Sequence, residues 1–143
     1  GTDGSDDGPE PACRGRSGLV VHLIDDEETV LEVTSAMLKA MGHNVLGYES
    51  GAEYLEALAD APKPDCVVLD MTMPGMKGSQ VFVRMRKMGC SAPVVLISGF
   101  SSSESMAHFH DELPSFFLQK PFGQEDLRLA VCRAIEAGGG DSG

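Results

Sequence analysis

Leu19-Val20-Val21-His22-Leu23-Ile24-Asp25-Asp26 is a short apolar, β-branched run that stops abruptly on two acids. Its length and composition predict a buried strand rather than a helix. The pattern recurs along the chain. Asp65 to Leu69 is a comparable run ending at Asp70, and Pro93 to Ile97 is another, ending at Ser98. Asn44 to Tyr48 is a weaker strand, and Phe116 to Gln119 is a last one that leads into Lys120-Pro121.

Helical periods fill the intervals. Thr29 to Met41 places Val30, Val33, Met37 and Met41 at helical spacing, with Gly42 in the stop position. Ser50-Gly51-Ala52-Glu53 has the spacing of a capping box, and Tyr54, Leu55 and Leu58 give the following helix an apolar face. Ala61-Pro62-Lys63-Pro64 breaks that helix, and Pro74-Gly75 turns the chain before a helix over Ser79 to Met88, with Val81 or Phe82 and Met85 inward. Ser101-Ser102-Ser103-Glu104 offers a second capping box, for a helix expected to reach about Leu113. The last helix is expected over Glu125 to Ala137, with Leu127, Val131, Ala134 and Ile135 on one face. Strands alternating with helices imply right-handed crossovers and a parallel sheet covered on both faces.

The chain has 143 residues and a formal charge of −11, from 22 acids and 11 bases. One domain is the natural count at that length. The acidity opposes nucleic-acid binding, which needs bases to displace counterions, and opposes docking on anionic lipid. No apolar run approaches the roughly 20 residues that span a bilayer. Residues 1–18 and 138–143 are rich in Gly and poor in large apolar side chains, so they are expected to be a flexible acidic leader or linker and a flexible tail around a domain at 19–137. The chain starts at Gly1 and shows no apolar signal segment, which fits a processed or excised piece. Cys13, Cys66, Cys90 and Cys132 lie far apart, so free thiols in a reducing cytoplasm are expected.

In a parallel sheet the strands' carboxyl ends share one edge, which is where ligands sit. Asp25, Asp26, Asp70, Ser98 and Lys120 would gather there. Three carboxylates in one small site repel one another unless a cation neutralises them. Hard carboxylate oxygens favour Mg²⁺, and a hydroxyl and an ammonium beside it suit a phosphoryl group.

Four segments carry a resemblance: Leu23-Ile24-Asp25-Asp26-Glu27-Glu28; Asp70-Met71-Thr72-Met73-Pro74-Gly75-Met76-Lys77-Gly78; Val95-Leu96-Ile97-Ser98-Gly99; and Leu118-Gln119-Lys120-Pro121-Phe122. In this order and spacing the sequence resembles the receiver domain of two-component response regulators over residues 19–137. The resemblance implies a flavodoxin-like, doubly wound sheet of five parallel strands, order 2-1-3-4-5, with five helices. It implies that Asp70 is the phosphoacceptor, that Asp25, Asp26, Asp70 and the backbone carbonyl of Thr72 hold Mg²⁺ (with Mn²⁺ as a substitute), and that Ser98 and Lys120 hold the phosphoryl oxygens. It also implies a cis Lys120–Pro121 bond and a switch pair of Ser98 and Phe117, where Phe117 lacks the hydroxyl of the commoner Tyr. The implied partner is a histidine kinase or histidine phosphotransfer protein. The implied output is the surface of the fourth helix, fifth strand and fifth helix, through which a homodimer would form. The segments around Ser98 and Lys120 look most like C-terminal receivers of hybrid sensor histidine kinases. The isolated domain would then not be an enzyme beyond Mg²⁺-dependent self-phosphorylation and slow autodephosphorylation.

The stretch Met106 to Ser115 departs from the family pattern, and Pro114 is expected to end the fourth helix early. Phe100, two residues after Ser98, is large enough to shield a phosphoryl group. A phosphatase using an aspartyl nucleophile would place a second Asp two residues after Asp70, where this chain has Thr72. A phosphorylation-independent interaction module is the other alternative, opposed by the presence of all five polar positions.

Overall fold

A computed structural model of the chain describes residues 18–110 and 112–142, with side chains through Glu136. The elements are β1 (Val20–Ile24), α1 (Glu28–Ala40), β2 (Asn44–Tyr48), α2 (Gly51–Leu58), β3 (Cys66–Asp70), α3 (Gly78–Lys87), β4 (Val94–Ser98), α4 (Ser102–Met106), β5 (Phe116–Gln119) and α5 (Gln124–Ser142). All pairings are parallel, and the sheet order is β2-β1-β3-β4-β5. This is the doubly wound, flavodoxin-like order that the resemblance implies.

The sheet's physics follows from its apolar runs. β3 and β4 are buried at every residue, and β1 at all but Val20, so these central strands need apolar side chains on both faces. β2 and β5 are the half-exposed edges. One face packs Val21, Leu23, Val68, Val95 and Ile97 against Leu38 of α1 and Leu127, Val131 and Ala134 of α5. The other packs Ile24, Val67, Leu69, Val94 and Leu96 against Tyr54 of α2, and Val81, Phe82 and Met85 of α3. Both inward candidates for α3, Val81 and Phe82, are therefore buried. Gly42 turns the chain out of α1 at φ +91°, a left-handed conformation that favours Gly, and its N–H reaches the Lys39 carbonyl at 2.9 Å.

Four expectations are corrected. The buried stripe of α1 is Thr34 and Leu38, with Leu31, Met37 and Met41 partly covered, whereas Val33 is 49% exposed. Val33 sits roughly 100° around the helix from Thr34, and the polar Thr hid the true centre of the face. α4 ends at Met106, well short of Leu113 and of Pro114. His108 and Phe109 bond the carbonyls three residues back, Ser105 and Met106, so the chain tightens and turns Phe109 into the core. The backbone of α5 continues past Ala137 to Ser142, each residue adding to the helical ladder even though three consecutive Gly disfavour it. Cys132 is disulfide-bonded rather than a free thiol, while Cys66 and Cys90 are free. Of the leader expected at 1–18, residues 1–17, with Cys13, lie outside the described residues, as do Asp111 and Gly143.

A buried polar chain ties β1 to α2. His22 is fully buried and its Nε2 lies 2.9 Å from the Pro62 carbonyl. A carbonyl only accepts, so Nε2 carries the proton and Nδ1 accepts from the Tyr54 hydroxyl, 2.9 Å away. The edges of Tyr48 and Tyr54 flank the ring at centroid distances of 6.1 and 5.4 Å. Burial holds the imidazole below its ordinary value of 6.5, against the opposing pull of the Pro62 carbonyl.

Tyr54→Phe is expected to cost about 1 kcal/mol in urea melts near neutral pH. Because the folded value of His22 is depressed, the neutral ring's contribution is complete above pH 6.5 and is lost as pH falls through the folded value. His22→Gln should therefore flatten the decline of stability on acidification; an unchanged slope would contradict the assignment.

Candidate functional site

The polar ends of the strands converge as parallel pairing requires. Asp25 follows β1 directly, Asp70 ends β3 and Ser98 ends β4. Asp70 is in register with Ile97, one residue before Ser98, and the Met71 N–H donates to the Ile97 carbonyl at 2.7 Å. The Lys120 N–H donates to the Ser98 carbonyl at 2.8 Å, which carries the ladder one residue beyond β5 and brings Lys120 to the same edge. The Lys120–Pro121 bond is cis, as the resemblance implies.

Asp25, Asp26 and Asp70 each offer a carboxylate oxygen, and these atoms lie within 4.8 Å of one another. Asp25 and Asp70 are only 2% exposed, while Asp26 is half-buried. Lys120 Nζ stands 3.2 Å from Asp70 Oδ1, an ion pair without the alignment of a hydrogen bond, because Oδ1 has no hydrogen-bond partner. Asp25 Oδ1 accepts the Glu27 N–H at 2.9 Å.

Burial, then the Asp25 charge, push the Asp70 carboxyl up to about 7, against the opposing pull of Lys120. Burial likewise raises Asp25, with the Glu27 N–H and Lys120 pulling the other way. Burial is the largest single influence on Lys120 and would lower it, but the contact with Asp70 and the charges of Asp25 and Glu27 together outweigh it and hold the ammonium above its ordinary value. Three carboxylates against one ammonium leave two negative charges uncompensated when all are ionised. The donors are all hard oxygens, and one of them lacks a hydrogen bond. This set fits a divalent cation such as Mg²⁺.

Ser98 is buried, and its Oγ accepts the Phe100 N–H at 3.0 Å, which leaves its own proton free to donate. Phe100 itself is 49% exposed. Thr72 is exposed two residues after Asp70. Phe117 is partly buried, with its ring 6.1 Å from that of Phe109, which meets Phe82 at 5.4 Å. Asp25, Asp26, Asp70, Ser98 and Lys120 thus reach one edge, with Phe117 on β5, the strand beside β4.

Two contributors lie outside that expectation. A Cβ on Gly78 would stand 2.5 Å from the Asp70 carbonyl oxygen and 2.8 Å from Met71 Cα, and the Gly78 N–H donates to the Met71 carbonyl at 2.9 Å. Gly78 therefore clamps the start of α3 onto the backbone of Asp70. The Gly closing the Asp70–Gly78 segment was the available signal. Phe109 is the second, placed by tertiary packing and without a signal in the local pattern.

Comparison with known proteins agrees with this geometry. The profile of the response regulator receiver domain matches residues 21–132. The chain is 34% identical over 122 residues to the transcriptional regulatory protein KdpE of Mycobacterium tuberculosis, covering 82% of this chain and 53% of that protein. It is 28% identical over 117 residues to the response regulator protein TmoT of Ectopseudomonas mendocina, again covering 82% and 53%. The chain thus spans about half the length of these relatives. The crystal structure of a response regulator receiver protein from Sinorhizobium medicae superposes with a TM-score of 0.73 at 30% identity, covering 84% of this chain and 96% of that one. A receiver domain from Clostridium thermocellum gives 0.75 at 27% identity, covering 83% and 95%. The chain belongs to the response regulator receiver domain family.

Because the folded value of Asp70 is raised, its contribution to stability is complete below 3.8 and is lost as pH climbs through about 7. Asp70→Asn is therefore expected to raise metal-free stability at about pH 7.5, by about 1–3 kcal/mol. Added Mg²⁺ should raise the melting temperature of the wild-type chain and raise that of Asp70→Asn much less. A variant less stable than wild type in EDTA would refute the repulsion.

Proposed function

We propose that this chain is a phospho-accepting receiver of a two-component phosphorelay, with Asp70 as the acceptor. The observation that supports it is the meeting of three carboxylates and one ammonium at the carboxyl edge of a parallel sheet. A carboxylate oxygen of Asp70 attacks the phosphorus of a phosphohistidine on a histidine kinase or phosphotransfer protein. An O–P bond forms, the P–N bond breaks, and the departing imidazole takes up a proton. The product is a mixed anhydride. Mg²⁺, held by Asp25, Asp26, Asp70 and the Thr72 carbonyl, supplies neutralising charge when bound; Mn²⁺ would substitute. Lys120 contributes its ammonium to one phosphoryl oxygen, and Ser98 donates its unengaged proton to another.

Phosphorylation draws Ser98 and Lys120 toward the added charge. In this reading Ser98 and Phe117 form the switch, and the surface of α4, β5 and α5 carries the output, including any homodimer. The ring of Phe117 has no hydroxyl, so its state is decided by packing against Phe109 rather than by a hydrogen bond. We further read the chain as cytoplasmic and as most similar in its Ile97–Phe100 and Phe117–Phe122 segments to receivers of hybrid histidine kinases. Among the described residues no helix is long and apolar enough to cross a membrane.

Incubation with acetyl phosphate and Mg²⁺ should add one phosphoryl group by mass spectrometry, and Asp70→Asn should abolish the gain. Absence of both the mass gain and beryllofluoride binding would favour a phosphorylation-independent module. Phe100 shields the anhydride from water in this reading, so Phe100→Ala should shorten the phosphorylated lifetime severalfold; an unchanged lifetime would remove Phe100 from the account.

A further inference from the structure

Residues 71–103 contain no Asp or Glu, in a chain whose formal charge is −11. The same stretch holds Lys77, Arg84, Arg86 and Lys87. Arg86 is engaged: it pairs with Glu112 at 2.8 Å, donates to the Cys90 and Ala92 carbonyls, and lies 4.6 Å over the Phe82 ring. The other three bases are exposed, and neither Arg84 nor Lys87 has an ion pair among the described residues. Lys77, Gln80, Arg84 and Lys87 follow helical spacing along one outward ridge of α3. Val83 and Met88 flank that ridge at 48% and 47% exposure.

We propose that this ridge is a docking surface for an acidic, amphipathic helix of a partner protein. The spacing of three and four residues is that of a ridge that seats in the groove of another helix. The unpaired guanidinium and ammonium groups select carboxylates. Val83 and Met88 offer apolar surface that a solvated helix face does not need, and Met adapts to varied partners. A nucleic acid would meet the same three bases but also the acidic field of the rest of the chain. The ridge uses none of Asp25, Asp26, Asp70, Ser98 or Lys120, so it stands or falls apart from the phosphorylation reading.

The test is an amide NMR titration of the whole chain with a synthetic 16-residue amphipathic helical peptide bearing Glu on one face and Leu on the other. Parallel titrations use the same peptide with Gln for Glu, and a single-stranded oligonucleotide of equal length. Shifts confined to residues 77–88 are expected for the Glu peptide, with affinity falling steeply as NaCl is raised. The double variant Arg84→Glu/Lys87→Glu should bind at least about tenfold more weakly, with unchanged amide shifts elsewhere showing an intact fold. Equal binding of the Gln peptide, preference for the oligonucleotide, no shifts at millimolar peptide, or undiminished binding by the double variant would each overturn the proposal. Salt-sensitive self-association of the chain alone, mapped to the same ridge by the same shifts, would also overturn it by giving the surface to a second copy.

Discussion

The molecule is organised around an electrostatic conflict. Parallel strands deliver Asp25, Asp26 and Asp70 to one edge, and burial denies two of them the water that would screen their repulsion. Lys120 relieves part of the conflict, and the backbone N–H of Glu27 relieves a little more. The remainder is stored in the fold as an affinity for positive charge and for a protonated or substituted Asp70. The apolar β1, β3 and β4 provide the stability that tolerates such a site, since their cores lie on both faces of the sheet. Site and scaffold are thus written in the same strands, with each apolar run ending at the residue it presents.

That coincidence explains what was legible in the sequence. The strands were readable because the central ones are apolar at nearly every position, and their polar last residues marked the site. Strand order came from the resemblance, since crossovers alone allow several orders. The phase of α1 was not readable, because Thr34 is buried and Val33 is exposed, the reverse of their hydropathy. The end of α4 was not readable either. It depends on Phe109 finding Phe117 on β5 and Phe82 on α3, the latter far away in the chain. Cysteine spacing gave no sign of the disulfide at Cys132, because no two cysteines stand at a paired spacing in the sequence.

The shortened α4 changes how the β5 edge is built. Three rings, Phe82, Phe109 and Phe117, meet edge to face, and Arg86 caps the series while holding Glu112. Space that a longer helix would cover is closed here by aromatic packing between α3 and the segment leading to β5. Phe117 therefore sits in a setting that resists small displacements, because close-packed rings shift together or not at all.

The clamp between Gly78 and the backbone of Asp70 has a further consequence. The nine-residue span Asp70–Gly78 is pinned at both ends, by the sheet at Asp70 and by the Gly78-to-Met71 hydrogen bond. With no clearance for even a methyl group at the join, the span is a closed ring rather than an ordinary loop. Most surface connections tolerate an inserted or deleted residue. This one can take up an added residue only by bulging outward at its exposed Pro74–Gly75 tip, and a residue lost from it would pull on Asp70 itself.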